Sequence, residues 1–218
     1  MPSNSIRMVC FDVGGVLIKH HRTWDAGCTA AGLPVRDGAM SPDLAAHRRE
    51  VTAAYTTGRI PCETFYAEMS RLMGGLYSAD EVRRVHHHWL GPEYDGVAAV
   101  MHRLISVNWI DTGVLSNTNP AHWARMNKTE IRPAEFPSPA MLRHRHASHL
   151  LGFAKPDPRA FREFERRTDY RGAEILYFDD LVENVETARA QGWIVEHIDH
   201  TADTAAQIEA ALTRHGIF

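Results

Sequence analysis

Apolar runs that stop abruptly at polar residues recur along the chain. Met8-Val9-Cys10-Phe11 runs into Asp12, Thr112-Gly113-Val114-Leu115 into Ser116-Asn117, and Ile175-Leu176-Tyr177-Phe178 into Asp179-Asp180. A fourth run, Trp193-Ile194-Val195, follows Gly192. Short, continuously apolar runs suit strands buried on both faces, as in a parallel sheet. Helical spacing fills the intervals. Val97, Val100, Met101, Leu104 and Ile105 form one apolar stripe, and Asp157-Pro158 opens a second helix through Phe161 and Phe164. Val185, Ala188 and Ala190, closed by Gly192, form a third. Strands alternating with helices predict an α/β fold, with ligands at the carboxyl ends of the strands. All three polar clusters fall at such ends.

The stretch from about His20 to Leu90 breaks this rhythm. It contains no clear strand but has helical stretches around Leu44 to Thr56, Glu63 to Met73 and Asp80 to Trp89. It reads as a helical insert, residues 20–90, in a core of residues 1–19 and 91–218. Ile131 to Arg145, with Pro133, Pro137 and Pro139, reads as a long surface loop.

Composition narrows the function classes. Of 218 residues, 44% are hydrophobic and 23% charged, ordinary for a globular chain long enough for a substantial core. A formal net charge of -3 supplies no basic field for nucleic acid. No apolar run approaches the ~20 residues that cross a bilayer, so no membrane partner is expected. Met1 to Arg7 lacks the apolar stretch of a secretory signal. The three cysteines, Cys10, Cys28 and Cys62, show no CxxC spacing, so a cytoplasmic protein with reduced thiols is expected. Among the 14 histidines, His86-His87-His88 are adjacent. Successive helical residues point roughly 100° apart, so these three cannot converge on one ion and read as a solvated helix face.

The strand-end residues carry the candidate chemistry. Asp12 precedes Val13-Gly14-Gly15, where a carboxylate can attack phosphorus while the glycines permit a sharp turn and close approach to an anion. Alone, an aspartate before glycines is also a common turn. Ser116 and Asn117 offer hydroxyl and amide donors to phosphate oxygens, although Ser-Asn-Thr-Asn-Pro equally describes a loop before a helix. Lys155 can place a point charge on a phosphoryl group, or can be an exposed loop charge. Asp179-Asp180 crowds two carboxylates, which is costly unless a cation sits there; the pair also suits a helix N-terminus.

Taken together and in this order, these residues resemble the haloacid dehalogenase superfamily. Its four motifs match Asp12, Ser116, Lys155 before Pro156-Asp157-Pro158, and Phe178-Asp179-Asp180 followed by Glu183-Asn184. The resemblance covers nearly the whole chain. It implies a Rossmann-like parallel core with an inserted α-helical cap. Within that subgroup, Asp12 to Val16 and Ser116 to Asn119 are most similar to the glucose-1-phosphate phosphatase branch. The implied activity is magnesium-dependent hydrolysis of a small phosphorylated substrate, such as a sugar phosphate, through an aspartyl-phosphate. Asp12 is then nucleophile and metal ligand, the Gly14 carbonyl a second ligand, and Asp180 a direct ligand with Asp179 beside it or acting through water. Ser116, Asn117 and Lys155 hold the phosphoryl oxygens. One departure stands out. Most phosphatases of this superfamily carry a leaving-group acid where this chain has Gly14.

Two other readings compete. A metal-independent 2-haloacid dehalogenase uses the same aspartate, but Asp179-Asp180 would then face a carboxylate substrate without neutralisation. A catalytically silent domain that binds a phosphorylated metabolite or a protein partner is supported by Gly14 alone. His20, His21, Arg22 and Trp24, just beyond the first motif, read as a solvated polar linker.

Overall fold

The computed structural model describes residues 5–218, so most of the segment Met1 to Arg7 lies outside the described residues. In chain order the elements begin with β1 (Met8–Phe11), β2 (Ile18–His20), α1 (Trp24–Ala30), α2 (Ala45–Thr56), α3 (Cys62–Leu72), α4 (Ala79–His87) and β3 (Leu90–Glu93). There follow α5 (Val97–Ile105), β4 (Asp111–Ser116), α6 (Pro120–Arg125), α7 (Pro137–Ala140), β5 (His144–Ala147) and α8 (Ser148–Leu151). The chain ends with α9 (Pro158–Thr168), β6 (Ile175–Asp179), α10 (Val182–Ala190), β7 (Ile194–His197) and α11 (Thr204–Arg214).

Five strands form a parallel sheet in the order β5-β4-β1-β6-β7. This is the Rossmann-like α/β fold that the alternation predicts. Side chains alternate across it with the period of a strand. Val9, Phe11, Val114, Leu176 and Phe178 join α5 and α11 in one apolar cluster. Met8, Cys10, Leu115, Ile175 and Tyr177 join Phe161, Phe164 and Trp193 in another. Both faces of β1 are therefore dry, which is why its four residues are all apolar.

Two strand assignments depart from the sequence reading. Residues 131–145 are not a structureless loop, because α7 and β5 lie within and just beyond that range. β5 escapes a hydrophobicity argument because it is an edge strand reading His-Arg-His-Ala. Its polar side chains find local partners, with His144 on Asp111 at 3.2 Å and the His146 ring edge-on to Phe164. The insert region is also bounded by strands: β2 and β3 pair antiparallel, so the chain leaves and re-enters the core side by side. Between them α1–α4 pack around their own cluster, including Tyr55, Phe65, Tyr66, Met69, Tyr77 and Val85. The three cysteines are unpaired. Among the described residues no helix is long and apolar enough to cross a membrane.

Candidate active site

Asp12 lies one residue past β1, and its backbone N–H donates to the Phe178 carbonyl at 2.8 Å. Strand pairing thus sets its carboxylate beside those at the end of β6. Ligating oxygens of Asp12, Asp179 and Asp180 all lie within 4.8 Å of one another, and all three residues are buried. Gly15 makes this approach possible. Its φ of +81° suits glycine, and a Cβ there would collide with the Asp180 carboxylate.

Lys155 enters from the loop after α8, only 4% exposed, with Nζ 3.0 Å from Asp12 and 2.7 Å from Asp179. The Asn117 side chain holds the lysine backbone from both sides, donating to the Lys155 carbonyl at 2.7 Å and accepting from its N–H at 2.8 Å. The side chain of Asn117 is therefore a clamp on Lys155, and the residue lines the same cavity. Ser116 ends β4, 3% exposed, and lines the same cavity. Asn119 caps α6, accepting from the His122 N–H, so the loop-before-helix reading of that motif holds as well.

The paired aspartates are not equivalent. Asp179 is fully buried, and donors already surround both of its oxygens. Oδ1 accepts from the Leu181 N–H and Asn184; Oδ2 accepts from Lys155, Asn184 and the Tyr177 hydroxyl. Asp180 instead lines the cavity, where the Arg22 guanidinium pairs with it and His200 Nδ1 stands 3.8 Å away. The residues fit a hard cation with oxygen ligands, and the open oxygens belong to Asp12 and Asp180.

Three carboxylates against Lys155 and Arg22 leave one negative charge in this group. It is felt at Asp12, whose carboxyl burial pushes up to about 7, with Asp179 and Asp180 adding to the rise and Lys155 opposing it. Burial alone would lower the Lys155 ammonium, but the Asp12 and Asp179 carboxylates outweigh it and hold it above its ordinary value. For Asp179, burial acts upward and Lys155 prevails, so its carboxyl sits below the usual range.

Of the four residues read as a solvated linker, three belong to this site. Arg22 meets Asp180, Trp24 lines the cavity, and His20 packs its ring against Gly14. A Cβ on Gly14 would lie 3.1 Å from His20 Nδ1, which has no hydrogen-bond partner among the described residues. Burial, then Arg22, lowers this imidazole to about 4. His87 and His88 are exposed as expected, but His86 turns inward, its ring stacked on His122 at 4.1 Å. Tyr177 accepts from Lys155 Nζ at 2.7 Å, and Asn184 donates to both oxygens of the Asp179 that holds the lysine. Neither task could be assigned from sequence, since Tyr177 sits in an apolar run and Asn184 in a helix.

The haloacid dehalogenase-like hydrolase family matches residues 6–192. Phosphatase MT3486 of Mycobacterium tuberculosis is 34% identical over 58 residues, which is 27% of this chain and 27% of that protein. Among solved structures, a predicted HAD-like family hydrolase from Porphyromonas gingivalis is 25% identical, with TM-score 0.74 over 95% of this chain and 98% of that one. HAD family enzyme bt-2542 of Bacteroides thetaiotaomicron, solved with magnesium and inorganic phosphate, is 19% identical with TM-score 0.72, covering 91% and 96%. The L-2-haloacid dehalogenase PA0810 follows at 20% identity and TM-score 0.62, covering 91% and 87%.

Proposed function

The chain belongs to the haloacid dehalogenase-like hydrolases, and from that premise we propose that it is a magnesium-dependent phosphatase of a small phosphorylated metabolite, acting in the cytoplasm. One observation carries the reading: Asp12 and Asp180 converge beside a buried Lys155 at the carboxyl edge of the sheet, in a cavity open to a ligand. The Bacteroides enzyme, which holds magnesium and phosphate on the same fold, supports it. So does the mycobacterial phosphatase match, within the 58 residues it spans.

In this mechanism an Asp12 carboxylate oxygen attacks phosphorus. The new O–P bond forms as the ester O–P bond breaks, and the leaving oxygen departs as an alkoxide that takes its proton from solvent water. Water then attacks the aspartyl-phosphate, releasing inorganic phosphate and restoring Asp12. Lys155 and Ser116 hold the phosphoryl oxygens, Lys155 being fixed by Asp179, Tyr177 and the Asn117 clamp. Magnesium would be held by Asp12, Asp180 and the Gly14 carbonyl, and would neutralise charge as two anions approach. Asp179 acts through Lys155 or through water. We read helices α1–α4 as a cap over the strand ends; the motifs around Asp12 and Ser116 are similar to those of the glucose-1-phosphate phosphatase branch. A metal-independent dehalogenase is disfavoured by the carboxylate excess, which a carboxylate substrate would worsen.

Asp12→Asn tests the nucleophile. The variant should fold and lose turnover, and single-turnover reaction with a labelled phosphate donor should mark Asp12 in the wild type alone. Activity retained in a pure preparation of the variant rules out the covalent route. Wild-type activity that is indifferent to magnesium favours the dehalogenase.

A further inference from the structure

The cavity that holds Asp12 and Asp180 does not end at them. Its volume is about 980 Å³, and it continues between α2, α3 and α4. That is at the upper end of the ~300–1,000 Å³ that sites for drug-sized ligands occupy, far beyond the need of a phosphate group. Two features describe what the far part would accept.

The first is aromatic. Tyr55 and Phe65 stack with ring centroids 4.2 Å apart, and the His86 ring packs against both. Burial holds His86 well below its ordinary value, so this wall is uncharged. Trp24 and Trp89 line the same space. A polyhydroxylated body needs acceptors for its hydroxyls, but the insert's only carboxylate on the lining, Asp25, is exposed.

The second is Arg48, on α2. It lines the cavity and is 5% exposed. Its Nη2 donates to the Ser41 carbonyl at 2.6 Å, while Nη1 has no hydrogen-bond partner among the described residues. No carboxylate lies within ion-pair distance of it among the described residues, although Arg22, at the same cavity, has Asp180. A guanidinium withdrawn from water without a counter-charge is costly, and such a group is ordinarily paired. Exposed Arg49 adds a second positive charge to the lining.

We propose that Arg48 receives a second anionic group of the substrate, so that the enzyme selects phosphate esters with an apolar or aromatic body ending in a carboxylate or second phosphoryl group. The proposal rests on the phosphatase reading for the first phosphate, and adds the class of the organic part. A planar guanidinium suits either oxyanion, since it offers paired N–H donors.

The test uses the full chain with magnesium. Benzylphosphonate is compared in calorimetric binding with para derivatives carrying a carboxylate, or a second phosphonate, on linkers of one to three methylenes. Hydrolysis of benzyl phosphate and of the matching para-tailed benzyl phosphates is followed in parallel. At least one anionic-tail probe should bind roughly 10–100-fold more tightly than benzylphosphonate, the gain expected of a charge-assisted bond in a dry site. The better arm identifies the anion. In Arg48→Met the ratio of affinities should fall toward one, with Arg48→Lys between. No gain from any tail in the wild type overturns the subsite, as does a ratio unchanged in Arg48→Met. The wild-type comparison decides even where the variant fails to fold. Hydrolysis with no tail effect removes this proposal alone, and a tail effect with no hydrolysis removes the phosphatase reading alone.

Discussion

At the scale of single residues, the two carboxylates of Asp179-Asp180 divide their work through what already surrounds them. Asp179 holds Lys155 with both oxygens occupied, whereas Asp180 faces the cavity. Asp180→Asn should therefore weaken magnesium at least about tenfold in a calorimetric titration, the scale of losing an oxygen ligand or its support. Asp179→Asn should act mainly on kcat, by loosening Lys155. Equal magnesium affinity in wild type and Asp180→Asn would remove Asp180 from the metal site. Gly14 poses a different question. A positioned acid is worth about 10²–10⁴ in rate, and His20 is the group nearest the side chain that Gly14 lacks. With its imidazole near 4, about one molecule in a thousand is protonated at pH 7, and a bound cation would lower that further. His20 is then a poor acid, so kcat/KM across aryl and alkyl phosphates should fall steeply as leaving-group pKa rises. A shallow slope that steepens in His20→Ala would make His20 the acid after all.

Elements explain how much of this was legible in the sequence. The central strands announce themselves because both faces are buried, leaving no polar alternation to confuse the reading, and each ends at or one residue before the one it must deliver: Asp12, Ser116, Asp179. β5 was hidden because an edge strand needs only backbone pairing on one side, and His144 to His146 satisfy themselves locally. β2 and β3 were hidden by brevity, at three and four residues. The Arg22–Asp180 pair joins positions 158 apart in sequence, and no local pattern encodes it. His86 was misread for a similar reason. Adjacent histidines on α4 point in different directions, and which one turns inward is set by His122 across the interface. The turn after β1 was legible as glycine but not as a shape. Gly15→Ala must fit a side chain at φ +81° against Asp180, which costs about 1–2 kcal/mol for the backbone alone. It should lower both thermal stability and magnesium affinity. An alanine variant with wild-type magnesium affinity would show that Asp180 can be placed without this turn.

Over the whole molecule, the one uncompensated negative charge near Asp12 links stability to metal and to pH. The Asp12 carboxyl sits at about 7 in the folded protein against an ordinary 3.8. Between those values the folded state binds more protons than the unfolded state. This group's contribution to stability therefore declines as pH rises from about 4 through 7. A divalent cation requires the ionised form and must displace the proton at low pH, whereas at pH 8 it meets a bare carboxylate and relieves the repulsion. Stabilisation by a fixed magnesium concentration should consequently grow with pH. At a hundredfold excess over Kd the ion adds about 2.7 kcal/mol, equivalent to roughly 5–10 °C in Tm for a chain of this size. Thermal melts at pH 5.5 and pH 8, with and without magnesium, would show a shift of that order at the higher pH and a much smaller one at the lower. Asp12→Asn cannot lose a proton, so it should be more stable than wild type at pH 8 without metal and show a weak magnesium shift with little pH dependence. Equal magnesium shifts at both pH values in the wild type would mean that Asp12 is already ionised at pH 5.5, and that Lys155, 3.0 Å away, outweighs burial and the neighbouring aspartates.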